Sequence, residues 1–500
     1  MSDLFNKLQP MLDKSSAYNM ALTLFNWDSS TLSPKLSMEN TSKAIGILSM
    51  EAYNTLINDT VKDLLGQLTT EEENAKLTAN EKSIVKLLNK DFEEMVKIPP
   101  EEYQAYSELS AKAGGIWEDA KNNNDFASYK DTLSQIISYQ KKFAGYCKKE
   151  NQSAYDYMLD QNEEGFTAAM VDEFFSKLKA AIVPLMKKVA DKKDFVSNDF
   201  LFQTLDIPRQ KEFCTILAKH IGFDFNKGVI AESEHPFTTS LHNKDVRITN
   251  HLHENDLMSA VFSVIHEGGH ALYEMDVDDA ITMTPVGGGA TMGMHESQSR
   301  LYENNLGRSK EFWTPLWDQL LTTFPEFKGH TLNEFYHAIN KSLPSLIRTD
   351  ADELTYSLHI MIRYEIERML FQDELSVDEL PAVWNKKYQE YLGITPTTDT
   401  EGVLQDSHWS FGGFGYFPSY AIGSAIAAQL IVTMKKTLPV DQYLTEGNLE
   451  PIHQFLKEHI HKYGATKTTD ELLKETTGEG FNPDYFIEYL TQKYTDIYEL

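Results

Sequence analysis

Apolar residues recur at three- and four-residue spacing along most of the chain, the period of helices with one buried face. Ala17, Met20, Ala21 and Leu24 share such a face near the start. The charged stretch 71–97 carries Ile84, Leu87, Leu88, Phe92 and Met95 at the same spacing. Residues 167–192 and 381–392 repeat it. Glycine is sparse in the first half, and proline falls mostly between helical runs, as at Ile98-Pro99-Pro100. One region departs. Residues 235–252 are rich in Thr, Val and Ile, and Val246-Arg247-Ile248-Thr249 alternates with a period of two. That pattern predicts a β-hairpin with Asn243-Lys244 near its turn. The expected fold class is all-α (mainly helical) with a small β-hairpin or sheet. No repeat, low-complexity linker or clear boundary interrupts the pattern, so residues 1–500 are expected to form a single domain.

After the hairpin the helical pattern strengthens: Leu257, Ala260, Val261, Val264 and Ile265 lead into His266-Glu267-Gly268-Gly269-His270. Asn255 or Asp256 is the expected N-cap. Histidines four apart on a helix lie on one face, one turn apart, where both can reach one ion. Glu267 flanks the pair and is placed to act as general base without binding the metal. The central glycines each cost about 1 kcal/mol in a helix interior relative to alanine. Close approach by another backbone, by substrate or by a packed helix would account for them. A catalytic zinc takes three protein ligands and keeps one position open. Glu296 opens the next helical run, after the turn Gly287-Gly288-Gly289, and is the expected third ligand; His295 competes with it by chemistry. The glycine turn lacks the lysine and hydroxyl of a phosphate loop. The spacing therefore predicts a zinc metallopeptidase.

Charge and composition narrow the partners. The chain carries 46 Lys and Arg against 75 Asp and Glu, a net charge of −29. Such a field repels phosphate backbones, so no nucleic-acid partner is expected. The most apolar run, 421–434, is shorter than the roughly 20 residues that span a bilayer and reads as a buried helix, so no membrane partner is expected. Residues 1–14 lack an apolar core of signal-peptide length. Two cysteines, Cys147 and Cys214, make no disulfide framework and read as buried apolar residues. The expected location is cytoplasmic.

The ordered motifs resemble the carboxypeptidase Taq family of metallocarboxypeptidases. His-Glu-Gly-Gly-His at 266–270 and His-Glu-Ser-Gln-Ser-Arg at 295–300 match its metal motifs. Asp245-Val-Arg247-Ile-Thr249 is similar to D-x-R-x-T, Ile347-Arg348-Thr-Asp-Ala351-Asp352 to I-R-x-x-A-D, and Gly402-Val-Leu-Gln405-Asp406-Ser-His408-Trp409 to G-x-x-Q-D-x-H-W. Trp27-Asp28-Ser-Ser-Thr31 and Tyr489-Leu-Thr-Gln-Lys-Tyr494 also resemble family segments. The resemblance implies a mainly helical, neurolysin-like fold with a deep central groove. It implies a homodimer that removes C-terminal residues from peptides with broad specificity and acts poorly on C-terminal proline. The expected ion is Zn2+, with Co2+ or Mn2+ as substitutes.

The same resemblance assigns the remaining roles. The terminal carboxylate of the substrate calls for an arginine fork: Arg348, with Arg247 and Arg300 as alternatives. His408 and Tyr420 are the expected oxyanion donors. Tyr416, in the glycine-aromatic stretch 410–419, is the rival to Tyr420 and a substrate-binding candidate. An edge strand of the hairpin can pair with an extended peptide. Asp352 and Asp406 are candidates to orient the zinc histidines. Two other classes fit less of the pattern: an oligopeptidase cutting internal bonds, which needs no carboxylate-binding arginine, and a peptide-binding protein without catalysis.

Overall fold

A computed structural model describes residues 2–500. They are 69% helical, as the periodicity predicts, and include one small three-stranded sheet. The helices begin where the sequence offers caps. Thr167 accepts a hydrogen bond from Met170 N to start Ala168–Asp191, and Asp256 accepts from Ser259 N to start Leu257–Met275. The apolar run 421–434 lies inside the buried helix Pro418–Lys435. No helix is long and apolar enough to cross a membrane. Both cysteines are free and buried.

The chain forms two compact units, each assembled from three separated segments. The first comprises Met1–Met95, Asp199–Tyr336 and Leu430–Gly480; the second comprises Val96–Asn198, His337–Gln429 and Phe481–Leu500. Because the segments alternate along the chain, no local change of composition marks either unit.

The first unit contains the sheet. Strand β1 is Gly228–Glu232, β2 is Thr238–His242 and β3 is Asp245–Asn250. β2 and β3 form the predicted antiparallel hairpin around Asn243-Lys244. β1, which the alternation did not reveal, pairs parallel with the other side of β3, giving the order β1-β3-β2. Val246 and Ile248 on β3 are fully buried, while Arg247 between them is only partly so. The helix Leu257–Met275 packs against the sheet and the helices Ile207–Ile221 and Met292–Arg300. It is apolar nearly all round and accordingly buried along most of its length. A separate apolar cluster joins Phe5, Leu8, Val61, Leu68, Ile84 and Ile281.

The second unit is helical. Glu353–Phe371, buried along most of its length, packs against Ala168–Asp191 and Leu380–Leu392, and Asp484–Tyr498 packs on Ala168–Asp191.

Candidate functional site

The helix Leu257–Met275 brings His266 and His270 to one face, their ring centroids 5.0 Å apart. Glu296, on Met292–Arg300, meets them. Its Oε2 lies 3.7 Å from His266 Nε2 and 3.4 Å from His270 Nε2. Gly269 makes this approach sterically available. A Cβ there would sit 2.7 Å from the carbonyl oxygen of Gln298 and 2.8 Å from Ser299 Cα. The close approach anticipated at the glycine pair is therefore, at Gly269, that of the second helix's backbone. At Gly268 a Cβ would meet only the side chain of Ile221.

Each histidine is oriented by its far nitrogen. His266 Nδ1 lies 2.9 Å from Glu303 Oε2. Glu303 sits in a π-helical turn, Leu301–Gly307, and also accepts from Arg300 and Arg308. His270 Nδ1 lies 2.6 Å from His295 Nδ1, and His295 Nε2 lies 2.9 Å from Glu274 Oε1. With His270 Nε2 turned to Glu296, its Nδ1–H donates to His295, whose Nε2–H donates to Glu274. His295 thus stands behind His270, and Glu296 completes the three-donor group. Gly289 packs on His295 and donates its N–H to Glu274 at 3.2 Å, so the glycine turn serves this relay.

Arg300 Nε donates to Glu296 Oε1 at 2.6 Å. Burial raises the Glu296 and Glu303 carboxyls, but Arg300 and His266, joined by His270 at Glu296 and by Arg308 at Glu303, hold both far below the usual range. Arg300 therefore fixes the carboxylates of this cluster. Glu267, 8% exposed, accepts a hydrogen bond on Oε2 from Thr238 Oγ1 at 2.6 Å. Arg247 pairs with Asp245 through two contacts of 2.8 Å and lies over Trp27.

Among the described residues a second three-donor group lies in the same unit: Asp276, His453 and His461. Asp276 caps the C-terminus of Leu257–Met275. Its Oδ2 lies 2.6 Å from His453 Nε2 and 3.1 Å from His461 Nδ1, and Lys457 approaches Oδ1 at 3.3 Å.

The second unit gathers the other predicted residues. Arg348 Nε donates to Asp406 Oδ1 at 2.9 Å, and Nη1 donates to Tyr356 at 3.0 Å. Arg363, fully buried, donates to Asp406 Oδ2 at 2.7 Å. Gln405 Oε1 accepts from both Arg348 N and Arg363 Nη2. Two guanidiniums around one carboxylate leave an excess positive charge. Against burial, Arg363 and Arg348 hold Asp406 well below the usual carboxylate range. His408 Nε2 lies 3.1 Å from the Tyr420 hydroxyl, and the Tyr416 ring lies 5.5 Å from that of His408. Burial pushes His408 down to about 4, so it is neutral at pH 7.

The loop around these residues is held closely. Glu367, fully buried, accepts from Trp409 Nε1 and Tyr155 at 2.8 Å and from Gly415 N at 2.9 Å. Gly415 has φ +71°, and a Cβ would lie 2.6 Å from the backbone of Met158. Burial raises Glu367 to about 7.

Two expectations are corrected. Asp406 binds arginines, and Asp352 caps Glu353–Phe371 by accepting from Leu354 and Thr355. Neither faces His266 or His270; Glu303 and His295, backed by Glu274, do. A signal for them was present: Glu274 continues the 266, 270 face by one turn, and Glu303 follows Glu296 by seven residues and Arg300 by three.

The family model of the carboxypeptidase Taq (M32) metallopeptidases matches residues 7–494. Carboxypeptidase 1 of Bacillus subtilis (strain 168) is 44% identical over 492 residues, covering 98% of each chain. Thermostable carboxypeptidase 1 of Pyrococcus furiosus is 34% identical over 96% of each chain. The crystal structure of an M32 carboxypeptidase from Deinococcus radiodurans R1 is similar with a TM-score of 0.95 at 32% identity, covering 99% of this chain and 100% of that one.

Proposed function

The chain belongs to the carboxypeptidase Taq (M32) metallopeptidase family, and we propose that it is a zinc carboxypeptidase releasing residues from the free C-terminus of peptides. The reading includes broad specificity, poor action on C-terminal proline, and activity with Co2+ or Mn2+ in place of Zn2+. The observation that carries it is the convergence of His266 Nε2, His270 Nε2 and Glu296 Oε2. Donors about 2.0–2.1 Å from a tetrahedral ion stand about 3.4 Å apart, and the imidazole–carboxylate separations are 3.4 and 3.7 Å. Two imidazoles and one carboxylate suit zinc and leave a position open.

When bound, a divalent ion supplies Lewis acidity, lowering the pKa of a coordinated water and polarising the scissile carbonyl. Glu267 takes a proton from the attacking water and returns it to the leaving amine. His408 and Tyr420 are the proposed donors to the oxyanion. His408 suits this role because it is neutral at pH 7 and its ring touches the tyrosine hydroxyl. Arg348 is the proposed partner of the substrate carboxylate, supported by the excess positive charge it shares with Arg363 around Asp406. Arg247 and Tyr416 are proposed to line the peptide path. Main-chain pairing along β2 would explain broad specificity, because it reads backbone rather than side chains. A homodimer stays part of the reading on the family resemblance, and sedimentation tests it.

The deciding experiment has two arms. Glu267→Gln is expected to keep its metal, by elemental analysis, and to lose turnover; near-normal turnover would refute the mechanism. A peptide and its C-terminally amidated form are expected to differ sharply as substrates. Equal cleavage of both would replace the carboxypeptidase reading with an oligopeptidase.

A further inference from the structure

The carboxylate of Glu267 accepts one hydrogen bond from the described residues. The donor is Thr238 Oγ1, 2.6 Å from Oε2. The same hydroxyl oxygen stands 3.0 Å from the main-chain oxygen of Glu267, and its single proton goes to the nearer carboxylate oxygen.

Thr238 is itself held. It is the first residue of β2, the outer strand on one side of the sheet. The residue before it, Phe237, donates its N–H to Thr249 Oγ1 at 2.9 Å and accepts from Thr249 N at 2.9 Å. The Phe237 ring meets Trp27 edge-on, with centroids 5.7 Å apart. Thr249 ends the Asp245-Val-Arg247-Ile-Thr249 motif, so the motif fixes the start of β2 and, through it, the hydroxyl that reaches Glu267.

We infer that Thr238 is a positioning residue for the general base: its hydroxyl pins one carboxylate oxygen of Glu267 so that the other faces the reacting water. The inference rests on the base assignment made for Glu267 above. Physically, a glutamate has three side-chain torsions, and a base acts efficiently only when its oxygen is held within hydrogen-bond reach of the proton it takes. A charge-assisted O–H···O− contact as short as this one is among the stronger single restraints available. Because Thr238 also lies on the strand proposed to receive the peptide, substrate pairing and base orientation share one residue.

Thr238→Val removes the hydroxyl and keeps the shape; Thr238→Ser keeps the hydroxyl. The expected result for Val is a fall in kcat of roughly tenfold to a hundredfold with KM changed less than about threefold, and recovery of most of the loss in Ser. Metal content and chelator resistance should match the unaltered enzyme in both. If the Val variant melts much lower, Thr238→Ala is measured in its place. Near-normal kcat without the hydroxyl, equal losses in Val and Ser, or a rise in KM alone would each overturn the inference. Glu267→Gln is assayed alongside. Full activity there removes the base assignment itself, whereas an inactive Gln variant beside a normal Val variant removes only the role of Thr238.

Discussion

His266, His270 and Glu296 on the one hand, and Asp276, His453 and His461 on the other, offer the same kinds of donor atom within the same unit. The helix that bears the first two histidines is capped by Asp276. The groups differ in where their protons go. In the first, each histidine has a separate acceptor for its far nitrogen, Glu303 for His266 and His295 for His270. The near nitrogens then face the carboxylate at 3.7 and 3.4 Å, the separation of ligands around an ion. In the second, one carboxylate oxygen faces both imidazoles at hydrogen-bond distance, 2.6 and 3.1 Å, and a lysine adds its charge at 3.3 Å. The outer nitrogen of His461 faces Gln298 at 2.9 Å. That group is spaced as a hydrogen-bonded clip on the end of the helix. Donor identity thus does not make a metal centre; the neighbours that take the remaining protons do.

The strongest challenge to this contrast is a metal count. His270→Ala is expected to lose its ion and at least roughly a thousandfold in peptide hydrolysis, whereas His461→Ala should retain about one ion per chain. Elemental analysis of the purified proteins decides; a second ion that disappears with His461 would erase the difference.

Next in size is the clip's contribution to stability. Asp276→Asn is expected to cost about 1–3 kcal/mol, because it weakens the acceptor shared by the ring nitrogens of His453 and the buried His461. Burial raises Asp276, but its bonds to His453 and His461 hold it well below the usual range in the folded state. A depressed folded pKa gives stability that is complete above the unfolded value of about 3.9 and is lost as pH falls toward the folded one. Urea melts of the two proteins should therefore differ at pH 7 and draw together below about pH 4.

Glu303→Gln tests the acceptor behind His266. Metal affinity, read by chelator competition, should weaken about tenfold to a hundredfold. His453→Ala, which alters only the clip, should leave it unchanged. The smallest effect concerns the packing that brings Glu296 in. Gly269→Ala pushes a methyl group into the backbone of Gln298 and Ser299 and should cost about 1–3 kcal/mol in a denaturant melt. Gly268→Ala meets only the Ile221 side chain and should cost less. Equal costs would mean that the two helices are free to separate.

Much of the first group was legible because it is local. Four-residue spacing is enough to bring His266 and His270 to one face, and a cap at Asn255 or Asp256 is recognisable because capping involves neighbouring residues; the structure uses Asp256. Thr238 was invisible for the opposite reason: it lies 29 residues from Glu267 and reaches it only because the sheet packs on the helix. β1 was missed because a five-residue apolar segment, Gly228–Glu232, has no periodicity that separates strand from loop. Arg348 was named from a motif, but its pairing with Asp406 and the buried Arg363 on the same carboxylate came only from the fold.

By itself, the sequence determined the helical class, the hairpin, the two histidines on one face and, through ordered motifs, the family. Those depend on periodicity, capping and short-range spacing, which act within a few residues. Only the tertiary structure decided which carboxylate serves which histidine, that Gly269 admits a second backbone, and that of two similar clusters one has the spacing of ligands around an ion and the other that of hydrogen bonds. Those outcomes depend on distances of a few tenths of an ångström between residues far apart in the chain, which packing sets and local sequence does not encode.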